Sequence, residues 1–271
     1  MCALPMEVLL WLVVMMWLPA ASTYGAPCMQ PDNIKRVSGD TECLLIKTFR
    51  HDQGLAMSTL FVLLHGNHSS GSPAVSQFPV AATLARSGPE DTVAVAVIRP
   101  GYNDAEGNFS SGNAAGRADN FYAGNIDIVA AAIDRLKAFH QPQRLVLVGH
   151  SGGAAMAGVI LGRHPGLADA AVLVGCPCNV PAWRSMRGRR DHWNSESAER
   201  YVERMPLSAR VAVLVGAKDD VTPPLLAQSY AIALAARGIA HELLVLPDQD
   251  HVTVIDSAQV VEAALRLGKA D

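Results

Sequence analysis

Short apolar runs alternate with segments of helical periodicity along most of this chain, and this alternation restricts the possible folds more than any other feature. The runs are rich in Val, Leu and Ile, as is typical of strands buried on both faces of a sheet. Strands that alternate with helices favour an α/β fold, in which a mostly parallel sheet carries helices on both faces. The predicted strands are 44–49, 59–64, 92–98, 144–148, 170–174, 211–215 and 242–246. The predicted helices are 74–86, 118–139, 152–163, 223–237 and 256–267.

Two parts of the chain break the alternation. The strands 44–49 and 59–64 follow each other without a helix, which predicts an antiparallel hairpin at the start of the fold. Residues 176–210 form the longest stretch without a clear strand, with one short helix predicted near 197–205. A long irregular stretch inside a compact domain is usually functional. We therefore interpret 176–210 as a short cap-like insertion in a single domain that covers 26–271.

The N-terminal segment is predicted to be a signal peptide over residues 1–25. Residues 8–18 form an apolar run that ends at Pro19, whereas a membrane-spanning helix needs about 20 apolar residues. The small residues 20–22 follow the run, and cleavage after Ser22 or Gly25 fits the small-residue rule. The segment before the run departs from the usual pattern, because it lacks Lys and Arg and carries Glu7. The sequence predicts a secreted or periplasmic protein, with an uncleaved membrane anchor as the alternative.

Cysteine use agrees with export. Removal of the leader leaves Cys28, Cys43, Cys176 and Cys178, and an even set in an oxidising compartment suggests disulfides. Cys28 and Cys43 flank an apparent N-terminal hairpin, so we expect them to pair. A bridge between Cys176 and Cys178 would span a single residue and be strained, so buried free thiols are an equal alternative.

Composition excludes several classes of function. Hydrophobic residues make up 50% of the chain and charged residues 17%, which excludes a disordered, solvated polymer. Lys and Arg number 22 against 25 Asp and Glu, for a formal net charge of −3. The basic run 187–190 is too short for a nucleic-acid footprint. We expect neither a nucleic-acid partner nor a stable membrane span.

The strongest chemical signal is the run Gly149-His150-Ser151-Gly152-Gly153, which fits the pattern G-x-S-x-G. A predicted strand leads directly into it and a predicted helix follows, which is the setting of a nucleophile elbow. The glycines remove Cβ atoms that would collide with the neighbouring strand and helix. Ser151 is therefore the predicted nucleophile, and the alternative is a glycine-rich helix start that merely packs closely.

An elbow serine needs an orienting acid and a base, which follow it in that order along the chain. Asp219 lies just after the predicted strand 211–215 and is the preferred acid, with Asp220 as the second choice. The alternative is helix capping before Pro223, which Thr222 or Asp220 could provide. His251 follows the last predicted strand and is the one histidine of nine with both the required chain order and the required loop. We predict that His251 is the general base.

The oxyanion hole needs backbone N–H groups that face the developing negative charge. Gly152, which follows the nucleophile, is predicted to supply one. The second is expected from the loop after strand 59–64, where Asn67 is the best candidate and His68 the next. His65 and His68 also have the spacing H-x-x-H, but no further ligands are spaced sensibly around them, so no metal is predicted.

These segments occur in the order seen in one large family. They are the His65-Gly66 loop, residues 99–102, the elbow, the G-x-x-D segment 216–219 and Asp250-His251. From about Leu44 to its end the chain resembles an α/β-hydrolase, and within that group prolyl-oligopeptidase-type serine peptidases and dienelactone-hydrolase-like esterases. The resemblance implies an eight-stranded, mostly parallel sheet with the insertion after its sixth strand. It also implies Ser151, Asp219 and His251 as catalytic triad. We expect no cofactor.

The substrate-contacting residues are less sharply indicated. Residues 99–102 follow a predicted strand, which places Tyr102 at the edge of the sheet that carries the site. We expect Tyr102 to contact the substrate, together with His65 and Trp183. The alternative is that Arg99 and Tyr102 only hold a long loop.

The predicted function is a secreted serine hydrolase that cleaves small esters or short peptides through an acyl-enzyme on Ser151. The peptidases that the chain resembles usually carry an N-terminal propeller that restricts substrate size, and this chain lacks one, which favours small substrates. An acyltransferase with the same triad would exclude water from the acyl-enzyme. A non-catalytic binding protein on the same fold is the third possibility.

Overall fold

A computed structural model describes residues 28, 31–50, 58–114, 121–189 and 194–269. Within these ranges, eight strands form one sheet, as predicted. The strands are β1 (Arg36–Gly39), β2 (Glu42–Arg50), β3 (Thr59–Leu64), β4 (Thr92–Val97), β5 (Arg144–His150), β6 (Ala170–Val174), β7 (Arg210–Gly216) and β8 (Ala240–Leu246). The α-helices in these ranges are α1 (Phe78–Ser87), α2 (Ala123–His140), α3 (Gly152–Arg163), α4 (Val180–Met186), α5 (Pro224–Arg237) and α6 (Ala258–Gly268).

The strand order is β1-β2-β4-β3-β5-β6-β7-β8, and from β4 to β8 every neighbouring pair is parallel. The predicted hairpin between segments 44–49 and 59–64 is wrong, because β4 lies between β2 and β3. β2 instead forms its hairpin with β1, where Ser38 lies opposite Cys43. β1 has only four residues, RVSG, and gives no apolar run that would predict a strand.

The two faces of the sheet bury alternate residues of each central strand. In β3, Leu60 and Val62 pack into the apolar core under α2, α3 and α5. Phe61 and Leu63 point the other way, into the core formed with α1 and α6. All six residues of β3 are buried, because helices cover both faces. The carboxyl ends of the parallel strands therefore meet at one edge of the sheet, where the loops carry the predicted site residues.

The segment 176–210 contains a 3₁₀ helix, Ala198–Arg204, where one short helix is predicted, and also α4, which is not predicted. The 3₁₀ helix lies directly on α3: a Cβ on Gly162 would lie 2.2 Å from the carbonyl oxygen of Tyr201. The described part of the segment thus packs against the domain's own core. Its cap-like role stays a prediction.

Two disulfides cross-link described residues of the domain. Cys28 and Cys43 are bonded, which confirms the predicted pair, and their Cα atoms lie 4.7 Å apart. Cys176 and Cys178 are also bonded, with Cα atoms 5.1 Å apart, which answers the question that the sequence leaves open. The predicted signal peptide lies outside the described residues. None of the helices in the described ranges has the length and apolar character needed to cross a membrane.

Candidate active site

Ser151 occupies a sharp turn between β5 and α3. Its φ of 52° and ψ of −118° are strained for a residue with a Cβ. The turn is held by the N–H of Ser151, which donates to the carbonyl of Val174 over 2.8 Å. It also depends on glycine at position 153, where a Cβ would lie 2.1 Å from the carbonyl oxygen of Leu64. This geometry fits the predicted elbow, in which the serine hydroxyl stands clear of the sheet.

Three side chains form one hydrogen-bonded chain at the carboxyl edge of the sheet. Nε2 of His251 lies 3.0 Å from Oγ of Ser151, and Nδ1 of His251 lies 2.8 Å from Oδ2 of Asp219. A neutral imidazole satisfies both contacts when Nδ1–H donates to the carboxylate and Nε2 accepts the serine proton. The structure thus brings together the three residues that the sequence predicts as nucleophile, base and acid.

The Asp219 carboxylate is fully buried and fully hydrogen-bonded. Oδ1 accepts the N–H groups of Val221 and Thr222 over 2.9 and 2.7 Å. Oδ2 accepts the Thr222 hydroxyl over 2.7 Å in addition to His251. Burial acts to raise the pKa of Asp219, but the hydrogen bond and charge of His251 and the two hydrogen bonds from Thr222 hold that pKa below its ordinary value. Asp220, the second choice from the sequence, is exposed.

Backbone contacts hold the acid loop and the histidine loop together. The N–H of Lys218 donates to the carbonyl of Gln249 over 3.0 Å. A Cβ on Gly216 would lie 2.2 Å from that same carbonyl oxygen, so the close approach requires glycine. Next to His251, Oδ1 of Asp250 accepts the N–H groups of Val252 and Thr253 over 2.9 and 2.8 Å. These contacts fix the two backbones from which Asp219 and His251 extend.

His150 is a site residue that the sequence reasoning missed. Its Nε2–H donates to the carbonyl of His251 over 2.8 Å, and the two ring centroids are 5.1 Å apart. Burial and the neighbouring His251 lower the pKa of His150 to about 4, so its ring is neutral near pH 7. The nucleophile elbow therefore also holds the histidine loop. Its position beside the nucleophile in the G-x-S-x-G run was the available signal.

A pocket of about 390 Å³ opens in front of Ser151 and His251. Its walls comprise Gly66, Asn67, His68, Ser76, Pro79, His150, Ser151, His251, Val252, Ile255 and Asp256. Both candidates for the second oxyanion donor, Asn67 and His68, line it. Asn67 lies against the residue after the nucleophile, since a Cβ on Gly152 would be 2.3 Å from Oδ1 of Asn67. Among the described residues, no group of three His, Cys, Asp or Glu side chains converges as metal ligands would.

The three residues expected to contact substrate do not line this pocket, and their contact with substrate stays a prediction. His65 is fully buried: its Nδ1–H donates to the carbonyl of Gly66 over 2.7 Å, and its Nε2 accepts the N–H of Arg99 over 3.0 Å. Tyr102 is buried edge-on against His65, with ring centroids 4.7 Å apart. Trp183 is buried with its Nε1–H donating to the carbonyl of Val221 over 2.7 Å. The polar groups of His65 and Trp183 hold the loops around the site.

Comparison with known families places this geometry in context. The family model of the prolyl oligopeptidase family matches residues 92–268. This span includes Ser151, Asp219 and His251. No curated protein matches the sequence.

Solved structures share the fold at low sequence identity. Est1E from Butyrivibrio proteoclasticus, with ferulic acid bound, has a TM-score of 0.64 at 15% identity, over 85% of this chain and 96% of that protein. The acylaminoacyl peptidase of Pyrococcus horikoshii has a TM-score of 0.59 at 12% identity, over 86% of this chain and 38% of that protein. A Klebsiella pneumoniae protein described as a dienelactone hydrolase has a TM-score of 0.61 at 14% identity, over 85% of this chain and 94% of that protein. These likenesses establish the α/β-hydrolase fold that the sequence predicts.

Proposed function

The chain belongs to the prolyl oligopeptidase family and is a serine hydrolase, and from this premise we propose that Ser151 is its nucleophile, His251 its general base and Asp219 the acid that orients the base. The observation that carries the proposal is the hydrogen-bonded chain of 3.0 and 2.8 Å that joins the three side chains. The proposed substrates are small esters or short peptides.

The geometry supports acyl transfer in two steps. The Ser151 hydroxyl attacks the substrate carbonyl while Nε2 of His251 accepts its proton, and Asp219 stabilises the resulting imidazolium. The negative charge on the carbonyl oxygen is proposed to be stabilised by the N–H groups of Gly152 and Asn67. Collapse breaks the bond to the alcohol or amine, which leaves with the proton from His251. A water molecule, deprotonated by His251, then attacks the acyl-enzyme and releases the acid.

The size and chemistry of the pocket support small substrates. A volume of about 390 Å³ is near the lower end of the range of roughly 300–1,000 Å³ for small-molecule sites. Pro79, Val252 and Ile255 give the wall an apolar part that suits an acyl group. Two neighbours of the same fold, Est1E with ferulic acid bound and an acylaminoacyl peptidase, support an acyl or peptide group as the substrate.

Export is part of the proposal. The two disulfides, Cys28–Cys43 and Cys176–Cys178, fit an oxidising compartment. The apolar leader over residues 1–25 would direct the chain there. Mass mapping of the N-terminus of the exported protein tests this, and an N-terminus upstream of residue 23 would contradict cleavage after Ser22 or Gly25.

The test of function is a panel of p-nitrophenyl esters and aminoacyl amides with purified mature protein. We expect hydrolysis of short-chain esters, labelling of the protein by a fluorophosphonate, and loss of both in Ser151→Ala. The control is Ser69→Ala, which changes a serine on an exposed part of the neighbouring loop. Activity or labelling that survives in Ser151→Ala would show that the nucleophile is another residue.

A further inference from the structure

Arg99 is a buried arginine just beyond the end of β4, and it lies immediately behind the active-site pocket. It is 3% exposed and does not line the pocket. Its Nη2 donates to Oδ1 of Asn67 over 2.6 Å and to the carbonyl of Gly66 over 3.1 Å. Nη1 lies 3.2 Å from Sδ of Met156. Arg99 thus touches two of the residues that form the pocket wall.

Among the described residues, the Arg99 guanidinium faces neutral oxygen acceptors and the Tyr102 ring, whose centroid lies 4.9 Å from Cζ. Within the part of the chain that the structure describes, no carboxylate lies within ion-pair distance of Arg99, and its Nε–H has no hydrogen-bond partner. A buried charge without an ion-pair partner is costly for folding even when it is hydrogen-bonded, so we expect Arg99 to have a function that offsets this cost. Burial lowers the pKa of Arg99, but a guanidinium remains charged near neutral pH.

The contacts of Arg99 converge on the proposed oxyanion loop. The Gly66 carbonyl accepts hydrogen bonds from both Nη2 of Arg99 and Nδ1 of His65. His65 in turn accepts the backbone N–H of Arg99 over 3.0 Å. The Asn67 side chain, held by the same guanidinium, lies against Gly152. Both residues proposed as oxyanion donors are therefore in contact with a unit that Arg99 holds in place.

We propose that Arg99 is a positioning residue of the oxyanion hole. Its guanidinium fixes the Gly66–Asn67 backbone so that the N–H of Asn67 faces the reacting carbonyl oxygen, and it places a positive charge behind that N–H. Both effects stabilise the negative oxygen of the tetrahedral state more than the neutral carbonyl of the bound substrate, so they act on kcat. This inference rests on the proposed function and adds a residue that the triad does not include.

The test compares oxygen and sulfur in the substrate. An ester develops negative charge on oxygen, whereas the matching thionoester develops it on sulfur, which is a weak hydrogen-bond acceptor. Loss of oxyanion stabilisation therefore slows p-nitrophenyl acetate more than O-p-nitrophenyl thionoacetate. Misplacement of Ser151 or His251 slows both equally. The ratio of the two kcat values separates a role at the oxyanion from a general structural role.

We expect Arg99→Met to lower kcat for the ester by roughly 10- to 100-fold, since loss of one whole oxyanion donor costs about 10²–10³-fold. KM should change by less than about twofold, and the ester-to-thionoester ratio should fall. Arg99→Lys keeps a charge but loses the fork that bridges Gly66 and Asn67, so it should give an intermediate ratio. An equal loss on both substrates in Arg99→Met would overturn the proposal.

Two further variants keep the test decisive. Met156→Leu removes the sulfur that contacts Nη1 at nearly constant volume, and we expect an unchanged ratio. Asn67→Ala removes the acceptor of the guanidinium while leaving the backbone N–H in place, and we expect a lower ratio even if Arg99→Met does not fold. An unchanged ratio in both Asn67→Ala and Arg99→Lys would refute the inference. Fluorophosphonate labelling of Ser151 in the wild type is a separate readout, and its absence would refute the proposed function instead.

Discussion

Replacing Asp219 by asparagine is expected to reverse the tautomer of His251. Oδ1 of Asp219 accepts two backbone N–H groups, from Val221 and Thr222, and these donors cannot turn away. They hold the amide oxygen of the asparagine at the Oδ1 position, so its NH₂ group takes the Oδ2 position. There the NH₂ group faces Nδ1 of His251, which lies 2.8 Å from Oδ2 in the wild type.

A donor in that place requires Nδ1 to accept. The imidazole proton then moves to Nε2, where it points at Oγ of Ser151, and His251 can no longer accept the serine proton. In serine proteases this exchange of acid for amide costs about 10⁴-fold in kcat through the same change of tautomer. We expect a loss of the same order here, equivalent to about 5 kcal/mol of transition-state stabilisation.

The assay is steady-state hydrolysis of p-nitrophenyl acetate near pH 8, with thermal unfolding as a check that the variant folds. Asp220→Asn is the matched control, because it makes the same chemical change on an exposed neighbour, and it should leave kcat within about twofold of the wild type. If Asp219→Asn retains more than a tenth of the wild-type kcat, the tautomer reasoning fails. If Asp220→Asn is the impaired variant, the acid has been assigned one position too early.

Two further predictions concern stability. The pKa of His150 is lowered to about 4 in the folded chain and is about 6.5 in the unfolded chain. Between these pH values the unfolded state therefore binds more protons than the folded state. The folded state loses stability as the pH falls from about 6.5 to about 4. His150→Gln should reduce that loss by up to about 2–3 kcal/mol in urea unfolding at pH 7.5 and pH 4.5, and an unchanged pH dependence would contradict the buried neutral ring. Replacing Cys28 and Cys43 by serine should lower the free energy of unfolding by about 3 kcal/mol, because their bridge closes the longer loop. The same change at Cys176 and Cys178 should lower it by less than about 2 kcal/mol. An equal or larger loss at Cys176 and Cys178 would contradict the loop-closure reasoning.

The fold class was predictable because the apolar composition of the strands indicates that both of their faces are buried. A strand such as β3, with six consecutive buried residues, must lie inside a covered sheet, and helical segments between the strands supply the cover. The pairing of β2 with β4 was not predictable in the same way. The position of β4 between β2 and β3 is a property of the whole sheet, and segments 44–49 and 59–64 alone do not determine it. β1 has only four residues, RVSG, so the sequence contains no apolar run that would predict this strand.

The sequence was enough to predict the three side chains of the candidate triad, but not the residues that hold them in place. Ser151, Asp219 and His251 follow strand ends in a fixed chain order, so a motif and two loops were enough to select them. The residues behind them carry no such signal, because whether a polar side chain after a strand faces the pocket or the core depends on loops far away in sequence. His65 is predicted to contact the substrate, yet its two ring nitrogens form hydrogen bonds with the backbone of Gly66 and Arg99.

Thr222 illustrates the same point from the opposite side. From the sequence it is a candidate to cap the helix after Pro223, but its hydroxyl donates to Oδ2 of Asp219 and lies 3.1 Å from Nδ1 of His251. It holds the carboxylate at the position where the imidazole N–H must point, as His150 holds the histidine backbone and Arg99 the proposed oxyanion loop. A buried polar group that is fully bonded within the protein constrains its partner strongly. A site arranged in this way depends on residues that never touch the substrate, and these residues become visible only when the hydrogen bonds of each reacting group are followed one step further.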